Sequence, residues 1–186
     1  YKMIRRRKLS VIKDLQTDEN GWFADGKFNS TSLFKGEMAV SIFIDDGATV
    51  EYAEKCIAHY NSLNNNIDML LKLQEYLVRF FLYMYSEWKE MGIYDEIVNE
   101  IEPVMEGYKS GRNLIEYLSE PTLYVYPPKG DGIGYGIECD CPWEPEHQCL
   151  IIIRNDELLY VGQSDGLDAW GDEDDYYCIW HDEDTK

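Results

Sequence analysis

Within the fourteen residues Gly136-Ile-Glu-Cys-Asp-Cys-Pro-Trp-Glu-Pro-Glu-His-Gln-Cys149 lie three cysteines, a histidine, a tryptophan and four acids. Thiolate sulfur and imidazole nitrogen are the donors zinc prefers, so Cys139, Cys141, His147 and Cys149 form a candidate ligand set, with Cys178 and His181 as further donors. The Cys-x-Cys and His-x-Cys spacings differ from the Cys-x₂-Cys of structural zinc sites. The same turn offers Glu146-His147 as an acid/base pair and Cys141 or Cys149 as a nucleophile beside His147. Against these readings stands a simpler one. In a strand, alternate residues share a face, which groups Ile133, Tyr135, Ile137, Cys139 and Cys141, and then Cys149, Ile151 and Ile153. Cysteines that continue an apolar face behave as small buried hydrophobes. No Gly-x-Ser-x-Gly, His-Glu-x-x-His or phosphate loop occurs. The expectation is therefore a non-enzyme without a cofactor, zinc on the cysteine turn being the alternative.

A second group of residues could carry binding. After Arg154 the chain is strongly acidic, and Asp165, Asp168, Asp172 and Asp174 are interleaved with Trp170, Tyr176 and Trp180. The segment lacks the ligand order and central glycine of an EF-hand, which argues against a calcium loop. Acids that steer a basic partner, with aromatic anchors that hold it, make a contact surface. Trp143 joins the expected anchors.

Net charge agrees with that surface. The 186 residues carry 17 Lys and Arg against 36 Asp and Glu, a formal charge of −19. Nucleic-acid binders neutralise phosphates with clustered cations, so DNA and RNA are excluded as partners. The basic cluster Arg5-Arg6-Arg7-Lys8 reads as the solvated start of the first strand. Five cysteines cannot all pair within one chain, which points to a reducing, cytoplasmic setting. The stretch Leu9 to Asp14 after that cluster is too short and polar for a signal-peptide core, and a chain beginning at Tyr1 leaves a removed leader open.

The elements that position these residues follow from periodicity. Trp22-Phe23-Ala24 and Lys27-Phe28 flank Asp25-Gly26, a short hairpin signal. Met38 to Ile44 reads as a strand closed by Asp45-Asp46-Gly47. Thr49 caps a helix whose apolar stripe is Tyr52, Ala53, Cys56, Ile57 and Tyr60. Asn64-Asn65-Asn66 breaks it. Ile67 to Met91 then reads as a long helix, apolar nearly all round between Leu77 and Tyr85 and so central to the core. Its charges leave no run of about 20 apolar residues for a membrane span. Helical turns at Asp95 to Ile101, stopped by Pro103, and at Arg112 to Leu118 precede four strands: Thr122 to Tyr126, Ile133 to Cys141, Cys149 to Arg154 and Leu158 to Val161. Alternating Gly132, Gly134 and Gly136 bare one strand face for the close approach of a helix or an aromatic ring.

Strands, then helices, then strands define an α+β fold: an antiparallel sheet with N-terminal strands, a central helical hairpin with one long buried helix, and C-terminal β-hairpins. The expected division of one domain is 1–47 β-rich, 48–120 helical, 121–162 hairpins and 163–186 an acidic aromatic tail. Leu77, Phe80, Phe81 and Met84 should pack on the sheet containing Ile137 and Ile151.

The run from Gly136 to His147, with Leu150-Ile-Ile-Ile and Leu159-Tyr-Val-Gly162 behind it, resembles a bacterial family of uncharacterised domains whose final hairpin carries Glu-Cys-x-x-x-Trp-x-x-Glu-His. Gln148 stands where that pattern continues with glycine. The resemblance implies an α+β domain similar in context to the immunity proteins that accompany bacterial toxins, with a basic toxin as partner. It implies no enzymatic activity.

Overall fold

The computed structural model describes residues 10–182. The basic cluster Arg5 to Lys8, and the acids Glu183 and Asp184, lie outside the described residues.

The strands are β1 (Lys13–Thr17), β2 (Phe23–Ser30), β3 (Gly36–Phe43), β4 (Ser119–Val125), β5 (Gly134–Asp140), β6 (Cys149–Arg154) and β7 (Glu157–Gln163). They form one seven-stranded sheet in strictly sequential order. Five neighbouring pairs are antiparallel, and β3–β4 is parallel, with Ala39, Val40, Ser41 and Ile42 opposite Thr122, Leu123, Tyr124 and Val125. A parallel join needs a crossover. Here the crossover contains all three α-helices: α1 (Val50–Ser62), α2 (Ile67–Glu90) and α3 (Tyr94–Lys109).

The expected α+β class is present, with three local departures. Asp25-Gly26 is not a turn: β2 runs straight through both. A Cβ on Gly26 would lie 2.6 Å from the Ile12 side chain and 2.9 Å from the Lys13 carbonyl oxygen, so this glycine admits the neighbouring chain rather than reversing its own. The reversal before β2 is made by Asp18, whose carboxylate accepts from the amides of Asn20 and Phe23, and by Gly21 at φ 74°. Pro103 does not stop α3, which continues through it to Lys109. Buried Ile101, Val104 and Met105 hold both sides of the proline in the core, and the Tyr117 hydroxyl donates to the Pro103 carbonyl. Finally, the expected helical turn near Arg112 to Leu118 is a 3-10 turn over Leu114–Tyr117.

Capping follows the sequence. Thr49 Oγ1 accepts from Tyr52 N, and Asn66 Oδ1 from Met69 N, each satisfying an otherwise orphaned amide. Helix α1 sits over β5, where Tyr52 Oη accepts from Gly134 N and His59 Nδ1 bonds the Tyr135 hydroxyl at 2.9 Å. Helix α2 buries Leu77, Phe80, Phe81 and Met84 as expected, but it runs closest to β7 rather than centrally over Ile137 and Ile151. All of these belong to one hydrophobic cluster.

Candidate functional site

The cysteine turn is an interior structure. Cys139 and Cys149 face each other across β5–β6 and are fully buried, and Cys141 is 4% exposed. All five cysteines are free thiols. Burial pushes the Cys139 and Cys141 thiols well above their ordinary range, Cys141 further through its hydrogen bond with Cys149; Cys56 and Cys178 are pushed up to about 12. A thiol held protonated is a poor nucleophile.

His147 turns away from this group. Its Nδ1 lies 3.0 Å from Glu144 Oε1, and its backbone amide donates to the same oxygen. The acid/base partner is thus Glu144 rather than Glu146, which is exposed. Glu144 is almost wholly buried, and its second oxygen accepts from Gln163 Nε2 at 2.6 Å. The network ties the turn to the end of β7. Gln148 adopts φ 64°, the left-handed region in which glycine is at ease. Its side chain compensates by donating to Asp140 Oδ1, and its amide donates to the Glu144 carbonyl. Among the described residues no group of three or more His, Cys, Asp or Glu side chains is placed to hold a metal, so Cys139, Cys141, His147 and Cys149 are not assembled as a tetrahedral set.

These thiols permit a direct check. Native protein at pH 8 is expected to react slowly, if at all, with an aromatic disulfide reagent, and to release five thiols on denaturation. Elemental analysis of the same sample should find no stoichiometric zinc. Three fast thiols, or one zinc per chain lost together with stability in Cys141→Ser, would overturn the buried-hydrophobe account.

The expected aromatic anchors also face inward. Trp143 is fully buried against Phe80 and Phe81, with ring centroids 6.2 and 5.6 Å away, and its carbonyl accepts from Trp88 Nε1. Trp180 stacks on Phe80 at 4.7 Å and donates its indole N–H to the Val161 carbonyl on the outer edge of β7. His181 reaches the same carbonyl through Nε2 and stacks on Tyr76 at 4.1 Å; burial lowers its pKa below the ordinary 6.5. Tyr176 is buried, its hydroxyl donating to the Asp168 carbonyl. Trp170 is half-buried and lies where glycines bare the sheet: a Cβ on Gly132 or Gly134 would come 3.0 Å from its ring. The alternation of glycines thus admits an aromatic ring, as its spacing implies. Trp143 and Trp180 are therefore core residues, whereas Tyr176, though largely buried, also lines the hollow beside the late segment.

The acids behave differently. Asp165, Asp172 and Asp174 are exposed; Asp168 is half-buried and accepts from Trp170 N at 2.6 Å. Asp172 and Asp175 cap the 3-10 turn Glu173–Tyr176 reciprocally. That turn forms one wall of a hollow of about 1000 Å³, whose other walls are the first turn of α2 and the β6–β7 turn. Five carboxylates line it: Asp68, Asp156, Glu157, Glu173 and Asp174. Its two cations bond backbone carbonyls, Lys72 Nζ that of Leu158 at 3.1 Å and Arg154 those of Ala169 and Gly171 at 3.4 and 3.3 Å. Tyr177, 64% exposed, stands on the wall with its hydroxyl on Asp182. Asp68, Asp156 and Glu157 were not legible as site residues, because only the crossover brings α2 beside a turn so distant in sequence.

The architecture is that of an α+β domain with a single mixed sheet, its helices gathered into one crossover and its late acidic segment folded back onto the sheet. The chain belongs to the family described as a domain of unknown function (DUF6985), whose model matches residues 11–168. That span takes in the cysteine turn and stops short of the 3-10 turn that walls the cleft. Comparison with curated proteins and with solved structures matches none. Among the described residues no helix is long and apolar enough to cross a membrane.

Proposed function

We propose that the protein is a cytoplasmic protein-binding module that receives a basic protein partner at its acidic cleft, in the manner of an immunity protein covering a toxin. The observation that carries this reading is the convergence of five carboxylates from three separate elements on one concave surface whose cations are already bonded to backbone carbonyls. Five carboxylates against Lys72 and Arg154 leave the concavity net negative, and a concavity of net charge focuses its field and raises encounter rates with an oppositely charged partner by about 10–10³-fold. The same field repels the phosphates of nucleic acids and of anionic membranes. Tyr177 supplies an exposed aromatic edge, the kind of residue from which binding energy is drawn at an interface.

The test begins with capture of the partner from the native cell, followed by association kinetics at two salt concentrations. The triple variant Asp156→Asn, Glu173→Gln, Asp174→Asn is expected to slow association about tenfold or more at 0.1 M salt. At 1 M, where the Debye length falls to about 3 Å, the variant and the parent should converge. On-rates indifferent both to salt and to these substitutions would sink the reading.

A further inference from the structure

Three of the five thiols gather at one end of the β5–β6 hairpin. Cys139 lies directly opposite Cys149 across the two strands. Cys141, one residue past the end of β5, hydrogen-bonds Cys149, which places those two sulfurs in contact. Opposed residues of antiparallel strands have Cα atoms about 4.5–5.5 Å apart, inside the about 4.4–6.8 Å that a disulfide spans. Cys149 therefore has two sulfur partners within reach. The remaining thiols meet oxygen instead, Cys56 donating to the Gly134 carbonyl at 3.8 Å and Cys178 bonding the Tyr160 hydroxyl.

The two partners of Cys149 differ in what holds them. Cys139 sits inside the ladder, with β4 on one side of β5 and β6 on the other, so its main chain cannot shift without breaking strand pairing. Cys141 belongs to the turn, where its carbonyl accepts from Glu144 N. The amides of Trp143 and Glu144 also donate to its sulfur, an arrangement that favours the negative charge gathering there as the sulfur attacks. Of the three thiols it is the one with any exposed surface, 4%, Cys139 and Cys149 having none. An oxidant scarcely larger than water needs far less opening of the turn to reach it than a bulky aromatic reagent does.

We propose that Cys141 and Cys149 form a redox-modification site, at which a peroxide oxidises the pair to a disulfide that locks the turn carrying Trp143, Glu144 and His147. In the first step the Cys141 sulfur attacks one peroxide oxygen, the O–O bond breaks, and the departing oxygen takes the thiol proton and leaves as water. In the second, the Cys149 sulfur attacks the sulfenic sulfur of Cys141, and the S–O bond breaks as the hydroxyl leaves with the Cys149 proton as a second water. Two thiols have then lost one electron each and the peroxide has gained both. Excess thiol reverses the step by exchange. The turn is tied to the end of β7 by Gln163 on Glu144 and by Ser164 N on the His147 carbonyl, and the disulfide adds a covalent closure to these bonds.

For the test, the full chain, reduced and freed of reductant, is treated with hydrogen peroxide, quenched with an alkylating reagent and digested for mass spectrometry. Free thiols are expected to fall by two from five, with Cys141 and Cys149 in one cross-linked peptide. Hydrogen exchange of residues 142–148 should slow at least about tenfold in the oxidised chain, the effect of closing a short loop, and recover on adding dithiothreitol. Cys139→Ala should form the same link. Cys149→Ala should form none, and a dimedone probe should then trap the Cys141 sulfenic acid. Five thiols persisting in the folded wild-type chain, a link to Cys139, or a link between two chains overturns the inference. So does the same mixture of pairings from chain oxidised in urea, because the native geometry would then select nothing. The wild-type map decides the matter even where a variant does not fold.

Discussion

A chain cut after Gly162 is expected to lose its cooperative unfolding transition. The segment removed reads in sequence as an acidic aromatic tail with its rings free for a partner, yet Ala169, Tyr176, Cys178 and Trp180 are all core residues. Trp180, with His181 beside it, covers the outer edge of β7 at the Val161 carbonyl and stacks on Phe80 of α2. Truncating one such buried aromatic costs about 3–5 kcal/mol, so removing Trp170, Tyr176 and Trp180 together approaches or exceeds the ~5–15 kcal/mol by which a domain is stable. It would also leave Gly132 and Gly134 as a bare strip of backbone and the β7 edge open to pairing with other chains. Thermal melts followed by near-ultraviolet circular dichroism decide the matter. The cut chain should show no sharp transition and Trp180→Ala a graded loss of about 3–5 kcal/mol. A truncated chain that melts within a few degrees of the parent would show the segment to be an appendage. The practical corollary is that the acids must be probed by point substitution, since deleting them deletes part of the core.

Phe81→Ala is expected to lower stability by about 3–5 kcal/mol, whereas its neighbour Leu82→Ala should cost under about 1 kcal/mol. The contrast isolates burial from helix propensity, because both changes place alanine at consecutive positions of α2. Phe81 has no exposed surface and packs against Trp143 at 5.6 Å and Tyr108 at 6.4 Å, while Leu82 is 37% exposed. Urea midpoints of the two variants give the comparison directly. Similar midpoints would mean that α2 is rotated from the orientation described.

Much of this fold could be read from residue types, and the failures have physical causes. The apolar density of α2 and the caps at Thr49 and Asn66 are local signals, and both helices appear where those signals place them. The strands β5 and β6 were legible because alternation is itself a local property. Gly26 misled because glycine serves two ends, reversal and close approach, and only the position of β1 tells which. Pro103 misled because a helix break costs about 3 kcal/mol, a sum that buried Ile101, Val104 and Met105 can offset. The site was harder. Trp170, Tyr176 and Trp180 sit among acids in sequence, which suggests exposure, but the glycines of β5 and the edge of β7 take the rings while the carboxylates remain in water. The cleft itself was invisible, since its walls come from residues 66–72, 154–159 and 173–181, and no local pattern joins them.

The position of the helices within the single parallel crossover has a consequence for how the molecule holds together. Every other strand pair joins consecutive strands through a short connection and closes at small entropic cost. The β3–β4 ladder, four pairs long, must close a loop running from Ile44 to Leu118, and that cost grows with the logarithm of loop length. Four parallel pairs offer little to set against it. The compensation comes chiefly from α1, which reaches both halves of the sheet: Tyr60 packs edge-on against Phe28 and bonds Ser30 in β2, while Tyr52 and His59 bond Gly134 and Tyr135 in β5; α2 adds its burial beside β7. The two meanders β1–β3 and β4–β7 are thus joined less by hydrogen bonds between them than by the helical layer that spans them, so completing the sheet and docking the helices are one cooperative event.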